Sequence, residues 1–334
     1  MTCKAVILND TSQRSHHGCA RVMRLLRAGL ETRGCTILAT SQSRHDWASD
    51  ENFLAAMKRS DVVVINGEGT LHHGRTHGER LLQVADHTAA NGKKLVLLNA
   101  LFDANPDSWG SLLRRFDLIS ARDSVSARDL SQLLDRDIGW VPDLSLSEPF
   151  EPVISATDRF GCLVGDAVRA STRRQIAKAA HQWPDARYLP TKTRHSPVWT
   201  APIVGAALRA GLFGLYTGTL PWRGLPFDLA IDEADYMDRL SRASLHVTGR
   251  FHGVCLSLLT ETPFVAVESV SGKVGRLLDD AGLLRHRLID PVNLPKQIRT
   301  KVDLALTIEE KDKISAFLKL ANKRASALFD EVLA

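Results

Sequence analysis

The sequence has no apolar run near the ~20 residues that a membrane span needs, so none of its 334 residues is expected to cross a bilayer. It is also poor in clustered cysteine. Cys3, Cys19, Cys35, Cys162 and Cys255 stand far apart with no C-x-x-C spacing, which argues against a disulfide framework or a structural zinc site. The apolar start Ala5-Val6-Ile7-Leu8 is too short for a signal peptide, and no small-residue cleavage site follows it. A reducing, cytoplasmic setting is therefore expected, with any contact to the inner face of a membrane peripheral. Internal repeats, low-complexity tracts and basic tails are absent too. The net charge of +5 is spread among 38 acidic residues without the interleaved aromatics of a nucleic-acid groove. Nucleic acid is not an expected partner, whereas a small anionic substrate is compatible with the charge.

What is present is a rhythm. Short runs rich in Val, Ile and Leu recur with helical patterns between them, the signature of parallel βαβ units whose strands are buried on both faces. Strands are expected at 4–8, 35–39, 61–65, 94–98 and 117–120, with a short one at 138–141. Residues 19–33 place Val22, Leu25, Leu26 and Leu30 on one helical face before Gly34. Pro142, Pro149 and Pro152 interrupt the rhythm, so a boundary near 150 separates domains 1–150 and 151–334. The second half repeats the pattern, with strands at 160–164, 187–189, 212–216, 244–248 and 263–267 and helices at 171–182, 233–242 and 253–260. The last residues form an apolar-striped helix that could pack back on the junction. The fold class is α/β, with two parallel-sheet domains and a cleft between them.

Asp61-Val-Val-Val-Ile-Asn66-Gly67-Glu68-Gly69-Thr70-Leu71-His72-His73-Gly74 is a buried strand entering a glycine-rich turn, and ligands bind at such carboxyl ends. A histidine replaces the third glycine of a dinucleotide fingerprint, and Glu68 would oppose a pyrophosphate, so NAD is not expected. Glu68 and His72 suit a hydroxyl-rich ligand, while the glycines could simply be turn residues. Asp10 either touches that ligand or caps the following loop as an Asx turn. His16-His17 and His72-His73-His77 lack a ligand spacing, so neither a metal nor a cofactor is expected.

The sharper signal is Leu245-His-Val-Thr-Gly249-Arg250-Phe251-His252-Gly253-Val-Cys-Leu. A strand ends at Gly249 and an apolar helix begins near Gly253, putting Arg250 and His252 at a helix N-terminus, where backbone N–H groups attract anions. Arg250 adds a planar fork and His252 a group that exchanges protons near neutral pH. Further on, Pro263-Phe-Val-Ala-Val-Glu268 leads to Gly272-Lys273. Lys273 either reaches the same crevice, if the strands at 244–248 and 263–267 are neighbours, or caps its own loop.

This string resembles the C-terminal signature of polysaccharide pyruvyl transferases. Asn66-Gly-Glu-Gly-Thr-Leu71, Ser120-Ala-Arg122-Asp123-Ser124 and Val141-Pro142-Asp143-Leu144-Ser145 fit the same family in order, over about residues 60–290. The resemblance implies a pair of Rossmann-like domains of the GT-B kind and transfer of a pyruvyl group from phosphoenolpyruvate, a co-substrate, to two sugar hydroxyls as a ketal. The acceptor would be a polysaccharide or its lipid-linked precursor. By the same resemblance Arg250, Phe251, His252, Gly253 and Lys273 form the donor site. Arg169 would stand in for an arginine that the family often carries where this chain reads Gly165-Asp166. Asp10, Glu68, His72, Arg122 and Asp123 would serve the acceptor, and Asp143 would position the junction or act as base. The alternatives are a nucleotide-sugar-dependent glycosyltransferase of the same architecture and a non-catalytic glycan- or anion-binding module.

Overall fold

In a computed structural model, residues 3–152, 160–180, 183–192, 226, 228–268, 272–283, 285–294 and 304–334 are described, together with 208 and 211. The chain forms two compact units. The first comprises Met1–Gln13, Val22–Glu148 and Lys319–Ala334; the second comprises Arg14–Arg21 and Pro149–Leu318. Neither is one uninterrupted stretch, which differs from the two continuous halves expected from the prolines. Proline and glycine mark local breaks, whereas membership of a unit is decided by long-range packing.

The first unit holds a five-stranded parallel sheet in the order β2-β1-β3-β4-β5. Its strands are β1 (Lys4–Asp10), β2 (Thr36–Gln42), β3 (Val62–Asn66), β4 (Lys94–Ala100) and β5 (Leu118–Ala121). Every residue of β3 is buried, and the alternation of side chains divides the core in two. Val6, Leu8, Val63 and Ile65 face one cluster, while Ala5, Ile7, Val62 and Val64 face the other. The second cluster takes in Ala325, Leu328, Phe329 and Val332 from the C-terminal helix Ile308–Leu333. That apolar face explains why the end of the chain belongs with the first unit. Residues 138–141 form no strand. Ala121 donates to the Gly139 carbonyl at 3.1 Å and Val141 donates back to the Ala121 carbonyl at 2.9 Å. The pairing amounts to this single parallel bridge between Ala121 and Trp140.

The second unit repeats the topology in the order β10-β9-β8-β6-β7. Here β6 is Phe160–Ala167, β7 Arg187–Tyr188, β8 Ala243–Gly249, β9 Phe264–Val267 and β10 Leu288–Ile289. The strand expected at 212–216 lies outside the described residues. Helices Ala170–Ala180, Glu233–Ser241, Phe251–Leu259 and Lys273–Asp280 accompany this sheet. In both sheets the chain leaves the first strand to one side and returns on the other, so ligands are expected between the carboxyl ends of β1 and β3 and of β6 and β8. No helix among the described residues is long and apolar enough to cross a membrane.

Candidate active site

β6 and β8 run side by side with Ala167 opposite Gly249, and Arg250 stands at their shared carboxyl edge. The helix begins at Phe251, two residues before the expected start, because Arg250 itself takes the extended N-cap conformation (φ −108°, ψ 132°). Its N–H donates to Thr248 Oγ1 at 3.1 Å. Gly253 lies within the first turn, where a Cβ would come within 2.5 Å of Thr248 Oγ1; a glycine lets the helix start this close to the strand end.

Asp166 faces the Arg250 guanidinium. It is 3 % exposed, its Oδ2 lies 2.6 Å from both Nε and Nη2 of Arg250, and its Oδ1 accepts from the Thr191 N–H at 3.1 Å. Where the family resemblance suggests a second arginine, this chain thus carries the carboxylate that orients the first. Arg169 lies exposed just before helix Ala170–Ala180, at the same sheet edge. Strands β8 and β9 are parallel neighbours, and Lys273 Nζ lies 5.8 Å from the centre of the Phe251 ring, within cation–π range. Glu268 caps the helix that Lys273 opens, accepting from Val274 and Gly275 N–H groups at 3.3 and 2.9 Å.

The segment Arg14–Arg21 completes this edge, and motif reading did not foresee it. His17 stacks on Tyr236 at 4.9 Å and donates its backbone N–H to Thr191 O at 3.1 Å. Arg21, almost fully buried, pairs with Glu233 at 2.8 Å. So tethered, the segment puts His16 edge-on to His252 at 5.1 Å between ring centres and forms a β-bridge from His16 to Lys192. Lys192 is held below the ordinary lysine range, chiefly by burial and further by the positive charges of Arg14 and Arg250. Lys192 thus lies in the field of Arg14 and Arg250, partly offset by Asp166, a grouping of basic residues that suits an anion. His16, Cys19 and His252 also bring donor atoms within 4.8 Å of one another. The sequence singled out His16 for its neighbour His17, but the fold turns it toward His252 instead. The spacing from His16 to Cys19 was the available signal; for Lys192 and Asp166 there was none, since both act through contacts distant in sequence.

Burial holds His17 down to about 4, against the opposing pull of Asp232, Asp235, Asp166 and Glu233, and holds His246 down to about 3. A histidine kept neutral in the fold takes its proton first in the unfolded chain. Stability is therefore greatest above pH 6.5 and falls as the pH drops from there toward 4. His17 alone accounts for about 3 kcal/mol between pH 7 and 4. Urea unfolding at the two pH values is expected to show a smaller difference for His17→Gln than for the parent.

The first unit's candidates occupy its carboxyl edge and interior. Asp10 accepts from Ser12 N–H at 2.9 Å and from Arg27 at 2.7 Å, the loop-capping arrangement. Glu68 is buried and takes the left-handed conformation (φ 37°), so the turn's strained residue is neither of its glycines. His72 and His73 share a 3.0 Å Nδ1 contact, and His73 lies 3.8 Å from Asp103. Asn9 bridges β1 to β3, donating to Asn66 O at 2.6 Å and Thr70 Oγ1 at 3.0 Å. Asp123 caps helix Ser124–Leu134 through Ser126 N–H at 2.7 Å. Asp143 is 0 % exposed, accepts from Ser145 N–H at 3.0 Å and pairs with buried Arg122 at 3.5 Å. In this conformation its carboxylate braces the interior and does not meet a dissolved substrate. Asp143→Ala would remove one carboxylate partner from a buried guanidinium, so a loss of about 3 kcal/mol is expected, readable as a lower urea midpoint. Two cavities of this unit, about 550 and 510 Å³, are lined by none of these residues.

A family model described as polysaccharide pyruvyl transferase matches residues 9–270. No curated protein matches in sequence. Among solved structures, the chain is similar to an S. aureus MnaA–UDP structure (TM-score 0.58, 11 % identity, 97 % of this chain and 94 % of that one). It is also similar to a putative UDP-N-acetylglucosamine 2-epimerase from Listeria monocytogenes (0.56, 12 %, 98 % and 94 %). A Thermobaculum terrenum O-GlcNAc transferase mutant gives 0.55 and 13 %, and the chain, 99 % covered, spans 66 % of that protein's length. At such identities the likeness is one of fold, two Rossmann-like domains of the GT-B kind.

Proposed function

Because the chain belongs to the polysaccharide pyruvyl transferase family, we propose that it moves a pyruvyl group from phosphoenolpyruvate onto two hydroxyls of a glycan or lipid-linked saccharide, forming a ketal. The observation that carries this reading is Arg250, held by Asp166 at a helix N-terminus beside His252 and among the charges of Lys192 and Arg14. A doubly anionic donor fits there: its carboxylate and phosphate find a planar fork, two further cations and helix N–H groups.

The reaction opens the donor's carbon–carbon double bond, whose π electrons take one proton at the methylene carbon, forms two bonds from sugar oxygens to the neighbouring carbon and breaks that carbon's bond to the phosphate oxygen. Of the two hydroxyl protons released, one balances the new methyl group and one leaves on phosphate. We assign to His252 the transfer of a proton to the methylene. Arg250, Lys192 and Lys273 hold the anion, with Arg169 on the exposed rim and Phe251 as the apolar floor under Lys273. We assign sugar contacts to Glu68 and His72 of the first unit. Asp10, Arg122, Asp123 and Asp143 support that edge through the pairings described above.

Incubation with phosphoenolpyruvate and candidate glycans is expected to release phosphate and yield a pyruvylated product. Thermal stabilisation by nucleoside diphosphates but not by phosphoenolpyruvate would support a nucleotide-sugar glycosyltransferase instead; binding of anions and glycans without turnover would support a binding module. Arg250→Lys replaces the fork by a point charge. It is expected to raise the donor KM by about 10- to 100-fold, the equivalent of one charge-assisted hydrogen bond, as read from initial rates of phosphate release.

A further inference from the structure

We propose that His16, Cys19 and His252 form a binding site for a zinc-class divalent metal, with three protein ligands and a fourth position open. Each contributes one donor atom, and the three atoms lie within 4.8 Å of one another. Two imidazoles and a thiolate suit borderline-soft ions such as Zn²⁺ and Co²⁺ and are poor ligands for Mg²⁺ or Ca²⁺, which prefer oxygen. Three protein ligands is the number found where zinc keeps a position for water or a small ligand.

The fold converges these groups from two remote places. His16 immediately precedes helix His17–Glu31, and Cys19, three residues on, lies one turn further along the same side. The Cys19 N–H donates to His16 Nδ1 at 3.4 Å, which ties the two together. His252 enters from the start of another helix, and Gly18 leaves room for it: a Cβ there would lie 2.2 Å from His252 Cβ. Cys19 is 4 % and His252 5 % exposed, so a bound ion would exchange most of its water for fixed ligands. The charges of Arg250, Lys192 and Arg14 oppose a further cation. The thiolate cancels one charge of the metal, and Asp166 offsets Arg250.

The consequence for activity rests on the proposed function: a metal on His252 takes the lone pair of the ligating nitrogen, so occupancy and proton transfer through that nitrogen exclude each other.

The test is cobalt titration of the full chain, stripped with chelator and kept reduced, with no substrate present. One saturable Co²⁺ per chain is expected, with a thiolate-to-cobalt charge-transfer band and the intense visible bands of a four-coordinate ion, all displaced by Zn²⁺. Cys19→Ala is expected to abolish the charge-transfer band and weaken binding by at least about 10-fold, and His16→Ala to weaken it similarly. Cys255→Ala, altering a buried thiol outside the trio, is expected to change nothing. If Cys19→Ala melts early, Cys19→Ser serves in its place, since its oxygen gives no such band. Absence of saturable cobalt in the parent, or a charge-transfer band that survives loss of the Cys19 thiol, overturns the proposal. Because binding is read without substrate, this failure would leave the donor chemistry standing, and failure of the donor assay would leave the cobalt result standing.

Discussion

His252→Gln is expected to lower turnover with phosphoenolpyruvate by about 10²- to 10⁴-fold, the range lost when a positioned proton-transfer group is removed, while the melting temperature moves little. Glutamine has nearly the length of histidine and can still hydrogen-bond, so packing against His16 and Phe251 (ring centres at 5.1 and 5.4 Å) is largely kept. It cannot deliver a proton near neutral pH. If His252 acts in the transition state, kcat and kcat/KM should fall together. That separates it from Arg250→Lys, whose loss falls on donor binding. Steady-state phosphate release at several donor concentrations reads the difference. Full turnover in His252→Gln would remove His252 from the mechanism while leaving Arg250 as an anion ligand.

The parts of the molecule visible in sequence are those governed by neighbours in sequence. The run Val62–Asn66 announces a strand buried on both faces, and Arg250 to Gly253 announces a strand end running into a helix, because period and turn chemistry are local. Four ordered motifs identify the family for the same reason. What sequence hid are pairings across long separations. Asp166 meets Arg250, 84 positions away; Arg21 meets Glu233, 212 away; and Cys3 and Cys35 bring their sulfurs to 3.4 Å although no spacing links them. Nor could sequence show that Asp143, read as positioning the junction or acting as base, is fully buried and paired with Arg122. The two units divide at Glu148 and Pro149, beside the prolines, and the stripe of the last helix announces that it packs. Which unit residues 319–334 join, and where residues 14–21 go, is set by packing that no local pattern encodes.

Asp166 also changes the physical meaning of the anion site proposed at Arg250. A lone Arg250 at a helix N-terminus would attract any anion by charge. Paired to Asp166 through two nitrogens at 2.6 Å, it has lost much of its net charge but gained a fixed orientation. Attraction then depends on Lys192 and Arg14, and selectivity on the direction in which the remaining guanidinium hydrogens point. On the proposed reading, that fixed orientation is what Arg250 offers the donor's carboxylate or phosphate.

Gly18→Ala is expected to be among the most damaging single-methyl changes in this chain, lowering turnover by about 10²-fold and stability by about 1–3 kcal/mol. By helix propensity alone the substitution should help, since alanine in a helix is better than glycine by about 1 kcal/mol. Contact reverses the sign. The added Cβ would stand 2.2 Å from His252 Cβ, 2.3 Å from Cγ and 2.8 Å from Nδ1. A Cβ is fixed to its backbone, so no rotation of His252 relieves the clash; helix Phe251–Leu259 and the segment carrying Gly18 must move apart, and the imidazole moves with its helix. Gly139→Ala is the control, because nothing lies within 4 Å of its added Cβ and neither turnover nor melting should change. Urea unfolding and phosphate release measured on both variants decide the matter: undiminished turnover in Gly18→Ala would mean that proton transfer does not depend on His252 being held against this segment.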